Sequence, residues 1–383
     1  MVTRRTCTRA VAIAAATLLV VVGATACRKA PTVLTATVAV SNLDRPWDVA
    51  FLPDGTMLLT ERVGRVRSWD GATLTTIAAP ADVAVQGEGG MLGLTVDPDF
   101  TTNRFIYTCF NTTAVDVKVV RWALDPTGTA LTDRTNIVTG IPTTTGGRHS
   151  GCRPRFGPDG MLWVTTGDAA RGPNPQSPTS LAGKVLRIDR DGAPAADNPG
   201  MVDPLSPLDD RIYTYGHRNV QGIAFRPSDG AAFSVEHGTS CDDEVNRLVA
   251  GANYGWDPEV PGNPTAYDES GPMTDLVAHP DALVATWSSG CPTIAPSGAT
   301  FLSGPQWKGW NNSMAIAVLK DRQVRVFWLD PAKGNAVGAE WTALLDEARF
   351  RSAVQGPDGN LYLVTDTAGP AGRILRVVPS TPT

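Results

Sequence analysis

Apolar residues along the chain fall in short alternating runs rather than in helical period, and the runs are separated by turns rich in Pro, Asp and Gly. One unit recurs: a short apolar strand, a Pro-Asp-Gly-like turn, an apolar strand ending in Thr plus an acid, and later a strand with Arg or Trp. It reads WDVAFLPDGTMLLTER with GRVRSW, LGLTVDPDFTTNRFIYTCF with KVVRWAL, and RPRFGPDGMLWVTTGD with GKVLRID. Three further copies are QGIAFRPSDGAAFSVEHG with DEVNRL, SGATFLSGPQWKGWNNSMAIAVLKDRQVRVFWL, and SAVQGPDGNLYLVTDTAGPAGRILRV. A lone Pro-Asp-Gly turn predicts only a hairpin, whereas six units spaced by about 45 to 75 residues predict an all-β, six-bladed β-propeller of four-stranded antiparallel blades. The segment from Val33 to Val40 alternates like a strand and is expected to close the ring on the last blade. Loops at one end of a propeller channel converge, so distant motifs can build one pocket. The inserts Ala169 to Ala182 and Glu259 to Ser289 are expected to shape that mouth.

Composition agrees with this picture, since Gly 38 and Pro 30 supply the turns that many short strands need. Residues 34–380 are expected to form a single propeller domain, preceded by a targeting segment over 1–26 and a linker over 27–33. In the leader, Arg4, Arg5 and Arg9 precede an apolar run from Ala10 to about Val22, too short for a stable span, then Ala24-Thr25-Ala26 before Cys27. These residues read either as an ordinary cleavage site or as a lipobox whose Cys27 is acylated. Cysteine parity favours the lipobox: discarding Cys7 and acylating Cys27 leaves Cys109, Cys152, Cys241 and Cys291, an even set suited to two disulfides in an oxidising compartment. The Arg4-Arg5 pair fits twin-arginine export poorly. The protein is therefore expected outside the cytoplasm, as a lipoprotein on the outer face of the membrane or as a secreted or periplasmic protein. The net charge of −5 argues against nucleic acid as partner, because phosphate binding needs a basic face.

Candidate chemistry begins with RHSGCRPRFGPDGMLWVTTGD, which places His149 on a Gly-rich loop and Asp168 at the end of the returning strand. One antiparallel excursion around Pro158-Asp159-Gly160 brings the two together as a base and its orienter, although Asp168 could equally cap its own turn. Arg218 and Asn219 begin the fourth unit with a guanidinium beside a carboxamide, suited to carboxylate and carbonyl oxygens or simply to a surface loop. Arg349 and Arg351 lie two apart on an extended segment and would face one side, with Phe350 turned into the sheet. Such adjacent cations repel unless an anion sits between them; solvated surface arginines are the competing account. Glu236 to Glu244 packs four carboxylates and exposed carbonyls into nine residues, a composition that suits a hard cation such as Ca²⁺ without EF-hand spacing. Zinc spacing, a phosphate-cradling P-loop and a strand-linked dinucleotide fingerprint are all missing from the sequence.

Together these residues resemble the soluble quinoprotein glucose/sorbosone dehydrogenase family, particularly its bacterial aldose sugar dehydrogenase branch. The resemblance runs from about Leu43 to Val378 through PWDVAFLPDG, GEGGMLGLTVDPDF, RHSG…FGPDG…TTGD, GKVLRID, YGHRNVQGIAF, EHGTSCDDEVNRLVAGANYGW, APSGATF and RFRSAVQGPDG. It implies a six-bladed propeller that binds pyrroloquinoline quinone (PQQ) and Ca²⁺ over the channel, oxidises the anomeric hydroxyl of aldoses to lactones, and passes electrons to an external acceptor. It also implies that His149 takes the hydroxyl proton as hydride leaves C1 for the quinone, with Asp168 orienting it. Arg218 and Asn219 would contact cofactor and substrate oxygens, while Arg349, Arg351 and Lys320 would neutralise the quinone carboxylates. Backbone carbonyls of Gly238 and Thr239 would hold the catalytic Ca²⁺ with Asp243 in support, and Glu244 with the Tyr254 carbonyl would hold a second, structural Ca²⁺.

Two departures stand out. Glu88, expected among the cofactor contacts, precedes Gly89-Gly90-Met91-Leu92 where relatives often carry Gln, and beside an anionic cofactor it would need a proton, a cation or Ca²⁺, with Gln86 close by as a substitute; Cys152 and Arg153-Pro154 replace a more usual Gly-Arg-Leu. Within this frame the expected disulfides are Cys109–Cys152 and Cys241–Cys291. Rival expectations are a Ca²⁺-dependent propeller lactonase, holding its metal by side-chain carboxylates and Asn, and a non-catalytic cell-surface binding propeller.

Overall fold

The computed structural model describes Arg28, residues 33–203 and residues 205–380. The leader, Cys27 and the interior of the 27–33 linker lie outside the described residues, and no described helix is long and apolar enough to cross a membrane.

Six four-stranded sheets form, all paired antiparallel. Blade 1 runs Pro46–Phe51, Met57–Glu61, Arg65–Trp69 and Leu74–Ala78; blade 2 runs Met91–Val96, Phe105–Asn111, Asp116–Leu124 and Leu131–Pro142. Blade 3 comprises Arg153–Phe156, Leu162–Thr165, Lys184–Ile188 and Ile212–Tyr215, and blade 4 comprises Val220–Phe225, Ala232–Glu236, Glu244–Arg247 and Trp287–Ser288. Blade 5 is Pro296–Leu302, Ser313–Val318, Gln323–Asp330 and Ala336–Ala343. Blade 6 combines Phe350–Gln355, Leu361–Thr365 and Gly372–Ser380 with Val33–Leu43 from the other end of the chain. The expected closing strand is thus present and extends three residues past Val40.

Each sheet alone is too small to bury both faces, and the apolar residues meet instead at six interfaces between neighbouring blades. Trp307 and Phe350 belong to the cluster between blades 5 and 6, for instance, and Met57 and Tyr362 to the one that seals blade 1 on blade 6.

A buried ionic knot crosses the molecule where innermost strands converge. Asp48 of blade 1 receives Arg153 Nη1 at 2.6 Å and Arg155 Nη2 at 2.8 Å from blade 3, Ser352 Oγ at 2.8 Å from blade 6, and the amide of Leu94 at 3.2 Å from blade 2. Burial alone would raise the Asp48 pKa, but Arg153, Arg155 and the Ser352 hydroxyl reverse that and hold it below the ordinary carboxylate value. Burial pulls Arg153 down to about 9 against the opposing field of Asp48, so both partners are charged at neutral pH.

Strand direction sorts the loops. Within a blade the first strand runs to its turn and the second runs back, so loops before first strands and loops after second strands share one face. The Pro-Asp-Gly turns occupy the opposite face. Glu88, His149, Arg218, Asn219 and Arg349 precede or begin first strands; Asp168, the 237–243 loop and Lys320 follow second strands. Every side chain expected in the site is therefore carried to one end of the channel.

Candidate functional site

His149 and Asp168 form the expected pair, with Nδ1 of the imidazole 2.8 Å from Oδ1 of the carboxylate and the side chains 3 % and 0 % exposed. An ionised carboxylate only accepts, so Nδ1 carries the proton and Nε2 is left basic. The same Oδ1 also accepts the amide of Ala170 at 2.8 Å, so the turn-capping and orienting roles coexist. His149 itself sits at φ 53°, a conformation unusual for a residue with a side chain. Gly167 makes that possible, because a Cβ there would lie 2.0 Å from the His149 carbonyl.

The second insert and the residues just before it supply side chains that the repeat pattern gave no means of placing. Asp168 Oδ2 accepts Trp256 Nε1 at 2.8 Å and the Tyr267 hydroxyl at 2.7 Å. Glu269 bridges Arg148, at 2.5 Å, and Arg218. Arg148 in turn directs Nε at His149 Nε2 over 3.3 Å, so the basic lone pair of the imidazole is engaged by a cation that Glu269 holds in place. Glu269→Gln is expected to loosen that cap, raising the rate of diethyl pyrocarbonate addition at His149 about fivefold, the equivalent of one net hydrogen bond. Site-resolved mass spectrometry reads the rate, and an unchanged value would show that Arg148 holds its place without Glu269.

Around this pair lies a cationic rim. Arg351 donates to Gln221 Oε1 at 3.1 Å and to Asp366 at 3.0 Å, and Arg349 lies 3.5 Å from the same Asp366 carboxylate. Asp366 is the anion that the two arginines require, and Phe350 between them is buried as expected. Burial pushes Asp366 up, but Arg351, Arg349 and Arg62 bring it below the ordinary carboxylate value. Neither Asp366 nor Arg62 was expected from sequence. Both follow the second strand of a unit, and counted from the Pro-Asp-Gly turn they share one repeat position, adjacent to that of Asp168, which would have located them. Among the described residues, the Nε groups of Arg62, Arg218 and Arg351 and Nε2 of His237 are buried without a hydrogen-bond partner. Burial, then the fields of Arg351, Arg218 and His149, push His237 down to about 3, so it is neutral.

The other expected residues are placed as follows. Asn219 Nδ2 donates to Glu88 Oε2 at 2.9 Å, giving that carboxylate a partner, while Gln86 is exposed and takes no part. Lys320 is exposed, its ammonium 3.4 Å from Thr293 Oγ1, next to Leu319 whose carbonyl faces Arg349. The acidic run does not form one oxygen cage, and among the described residues no group of three His, Cys, Asp or Glu is placed to hold a metal. Its carboxylates instead diverge. Glu236 binds His217 Nδ1 at 2.7 Å and the Arg218 amide at 2.8 Å, and Asp242 faces Ser288 at the surface. Asp243 accepts the amides of Gly238, Ile294 and Ala295 at 2.9, 2.5 and 2.9 Å, which fixes the loop bearing the Gly238 and Thr239 carbonyls. A Cβ at Gly238 would lie 2.0 Å from the Cys241 carbonyl, so only glycine fits there. Glu244 is pushed up to about 8 by burial and by Glu236; Asn246 Nδ2 donates to Glu236 at 2.9 Å and to Glu244 at 3.1 Å, while its Oδ1 is buried without a partner. Tyr254 stacks on His217 at 4.6 Å.

Both disulfides join as expected. Cys109–Cys152 ties the second strand of blade 2 to the loop after His149, and Cys241–Cys291 ties the 237–243 loop to the entry of blade 5.

Sequence comparison agrees with the geometry. The profile described as Glucose / Sorbosone dehydrogenase matches residues 43–376. The chain is 32 % identical to Aldose sugar dehydrogenase YliI of Escherichia coli (strain K12), over 91 % of this chain and 94 % of that one. It is 29 % identical to Quinoprotein glucose dehydrogenase B of Acinetobacter calcoaceticus, over 87 % and 85 %. The PQQ-bound structure of aldose sugar dehydrogenase from Streptomyces coelicolor superposes with a TM-score of 0.72 at 29 % identity, covering 91 % of this chain and 99 % of that one.

Proposed function

The chain belongs to the glucose/sorbosone dehydrogenase family, and from that premise we propose that it is a PQQ- and Ca²⁺-dependent aldose dehydrogenase. It oxidises the anomeric hydroxyl of a sugar to the lactone and passes the electrons to an external acceptor. The observation that carries this is the buried His149–Asp168 pair beside three buried guanidinium Nε–H groups that have no acceptor. Desolvated donors left unpaired are costly, and a ligand bearing several carboxylates and carbonyls is the complement that removes the cost.

The residues present fit both groups. Arg351, Arg349, Arg218 and Lys320, with Arg62 added by the structure, would hold the quinone's oxygens, and Asn219 would contact it beside Glu88. The Gly238 and Thr239 carbonyls, braced by Asp243, would hold one Ca²⁺. Glu244 and the Tyr254 carbonyl would hold another, where the facing Glu236 and Glu244 carboxylates offer the hard oxygens such an ion prefers. When bound, the quinone supplies a two-electron acceptor whose carbonyl Ca²⁺ polarises. The protein's own part is to exclude water, to orient the sugar, and to receive the hydroxyl proton at His149 Nε2 once Arg148 has swung aside. Asp168 stabilises the imidazolium that results. Two disulfides suit an oxidising compartment, consistent with export and with tethering through acylated Cys27.

An absorbance titration of the Ca²⁺-loaded mature protein with PQQ is expected to saturate, and the product to reduce an electron-accepting dye when an aldose is added. If the intact protein does not bind the quinone, the proposal fails.

A further inference from the structure

We infer that Tyr267 is a positioning residue of the base, holding His149 in register through Asp168, so that the Glu259 to Ser289 insert completes the pair. The inference rests on the role of His149 proposed above. Asp168 is wholly buried and receives four hydrogen bonds: from His149 Nδ1, the Ala170 amide, Trp256 Nε1 and the Tyr267 hydroxyl. Tyr267 alone among these donors comes from within the insert.

Its hydroxyl lies 2.7 Å from Asp168 Oδ2 and 3.2 Å from His149 Nδ1. The single phenolic proton goes to the carboxylate, so an oxygen lone pair faces the Nδ1–H that points at Oδ1. The hydroxyl thus covers the bond joining base to orienter on the side of the insert. Its two polar contacts are the two members of that pair. A residue serving only to pack would not spend its one polar atom there.

The ring is fixed from three directions. It meets the His149 ring edge-on at 5.8 Å and the Trp256 ring at 6.2 Å, and the Arg148 guanidinium lies 5.5 Å over its face. Burial and the charge of Asp168 push the phenol upward, so it remains a donor throughout the working range. Because Glu269, two residues on, grips Arg148 and Arg218, the segment that delivers the tyrosine is anchored to the cationic rim. The contacts that anchor the insert and those that align the base thus come from one short segment.

The test compares wild type, Tyr267→Phe and Tyr267→Ala as full mature proteins, with two readouts. In the ligand-free protein, selective ¹⁵N-histidine labelling follows the Nδ1–H proton of His149. It is expected to exchange slowly in wild type and to broaden into solvent exchange in both variants. With Ca²⁺ and PQQ added, kcat for aldose oxidation is expected to fall about 10- to 100-fold in Tyr267→Phe, the loss of one hydrogen bond to a charged group, with quinone affinity held within about twofold. If Tyr267→Phe behaves as wild type and only Tyr267→Ala loses rate and protection, the ring packs and the hydroxyl positions nothing; the inference is then overturned. If wild type binds no quinone, the functional proposal falls instead, and the proton-exchange comparison still decides whether the hydroxyl shields the pair.

Discussion

His149→Ala is expected to lower kcat for aldose oxidation by about 10²- to 10⁴-fold, the range contributed by a positioned general base, while the quinone titration stays close to that of wild type. The separation follows from where the side chain sits. His149 meets Asp168, Arg148 and Tyr267, whereas the unpaired guanidinium Nε groups of Arg62, Arg218 and Arg351 are carried by other blades. Steady-state dye reduction and absorbance titration on the same preparation check both halves. Asp168→Asn gives an independent line, because a carboxamide can present its NH₂ to Nδ1 and turn the imidazole into the wrong tautomer. A comparable loss of rate is expected there. Equal turnover in His149→Ala would take the histidine out of its assigned role, and loss of binding would mean that it builds the pocket rather than acting in it.

Asp48→Asn is expected to destabilise the fold by about 3–5 kcal/mol, because it leaves the buried Arg153 and the half-buried Arg155 without their counter-charge. For a chain of this size that corresponds to roughly a 5 °C drop in Tm. The sign of the pH dependence is fixed by the direction of the shift. The folded pKa of Asp48 lies below its unfolded value. Its contribution is therefore fully present above about pH 4, where the unfolded group also ionises, and is lost as pH falls through the folded value. Wild type and variant should differ most at neutral pH and converge in acid. Urea unfolding at pH 7 and pH 3 measures this, and a gap that widens toward acid would contradict the ionic account.

The architecture was legible because each blade repeats one local program. An alternating strand, a Pro-Asp-Gly turn and a returning strand make a hairpin wherever they occur, and their sixfold recurrence gives the ring and its closing strand. The His149–Asp168 pairing was legible for the same reason, since both ends of one hairpin reach one face. Contacts that cross between units were not. Asp48 reads as one polar residue in a strand until Arg153, Arg155 and Ser352 arrive from other blades. Asp366 and Arg62 were not expected although they share a repeat position next to the one that carries Asp168. Tyr267, Trp256 and Glu269 lie in or beside an insert with no counterpart in other units, so nothing periodic assigns their direction. The acidic run misled in the opposite sense. Four carboxylates close in sequence were expected to act together, yet only Glu236 and Glu244 meet, across neighbouring strands at Asn246, while the tight loop between them sends Asp242 and Asp243 to other partners.

The shared outer blade also decides where the chain can be cut and rejoined. Val33 pairs with Ser380 and Leu43 with Gly372, so the two ends of the ring emerge side by side on the face that Val33 and Ser380 reach. A short flexible linker from Ser380 to Val33 would make a covalently continuous ring, and fresh ends could then be opened at a Pro-Asp-Gly turn, on the side away from His149. Such a permuted protein would keep every blade interface intact. Truncation within Val33–Leu43, by contrast, would expose the edge of Gly372–Ser380 and turn a closed molecule into one with a strand to share.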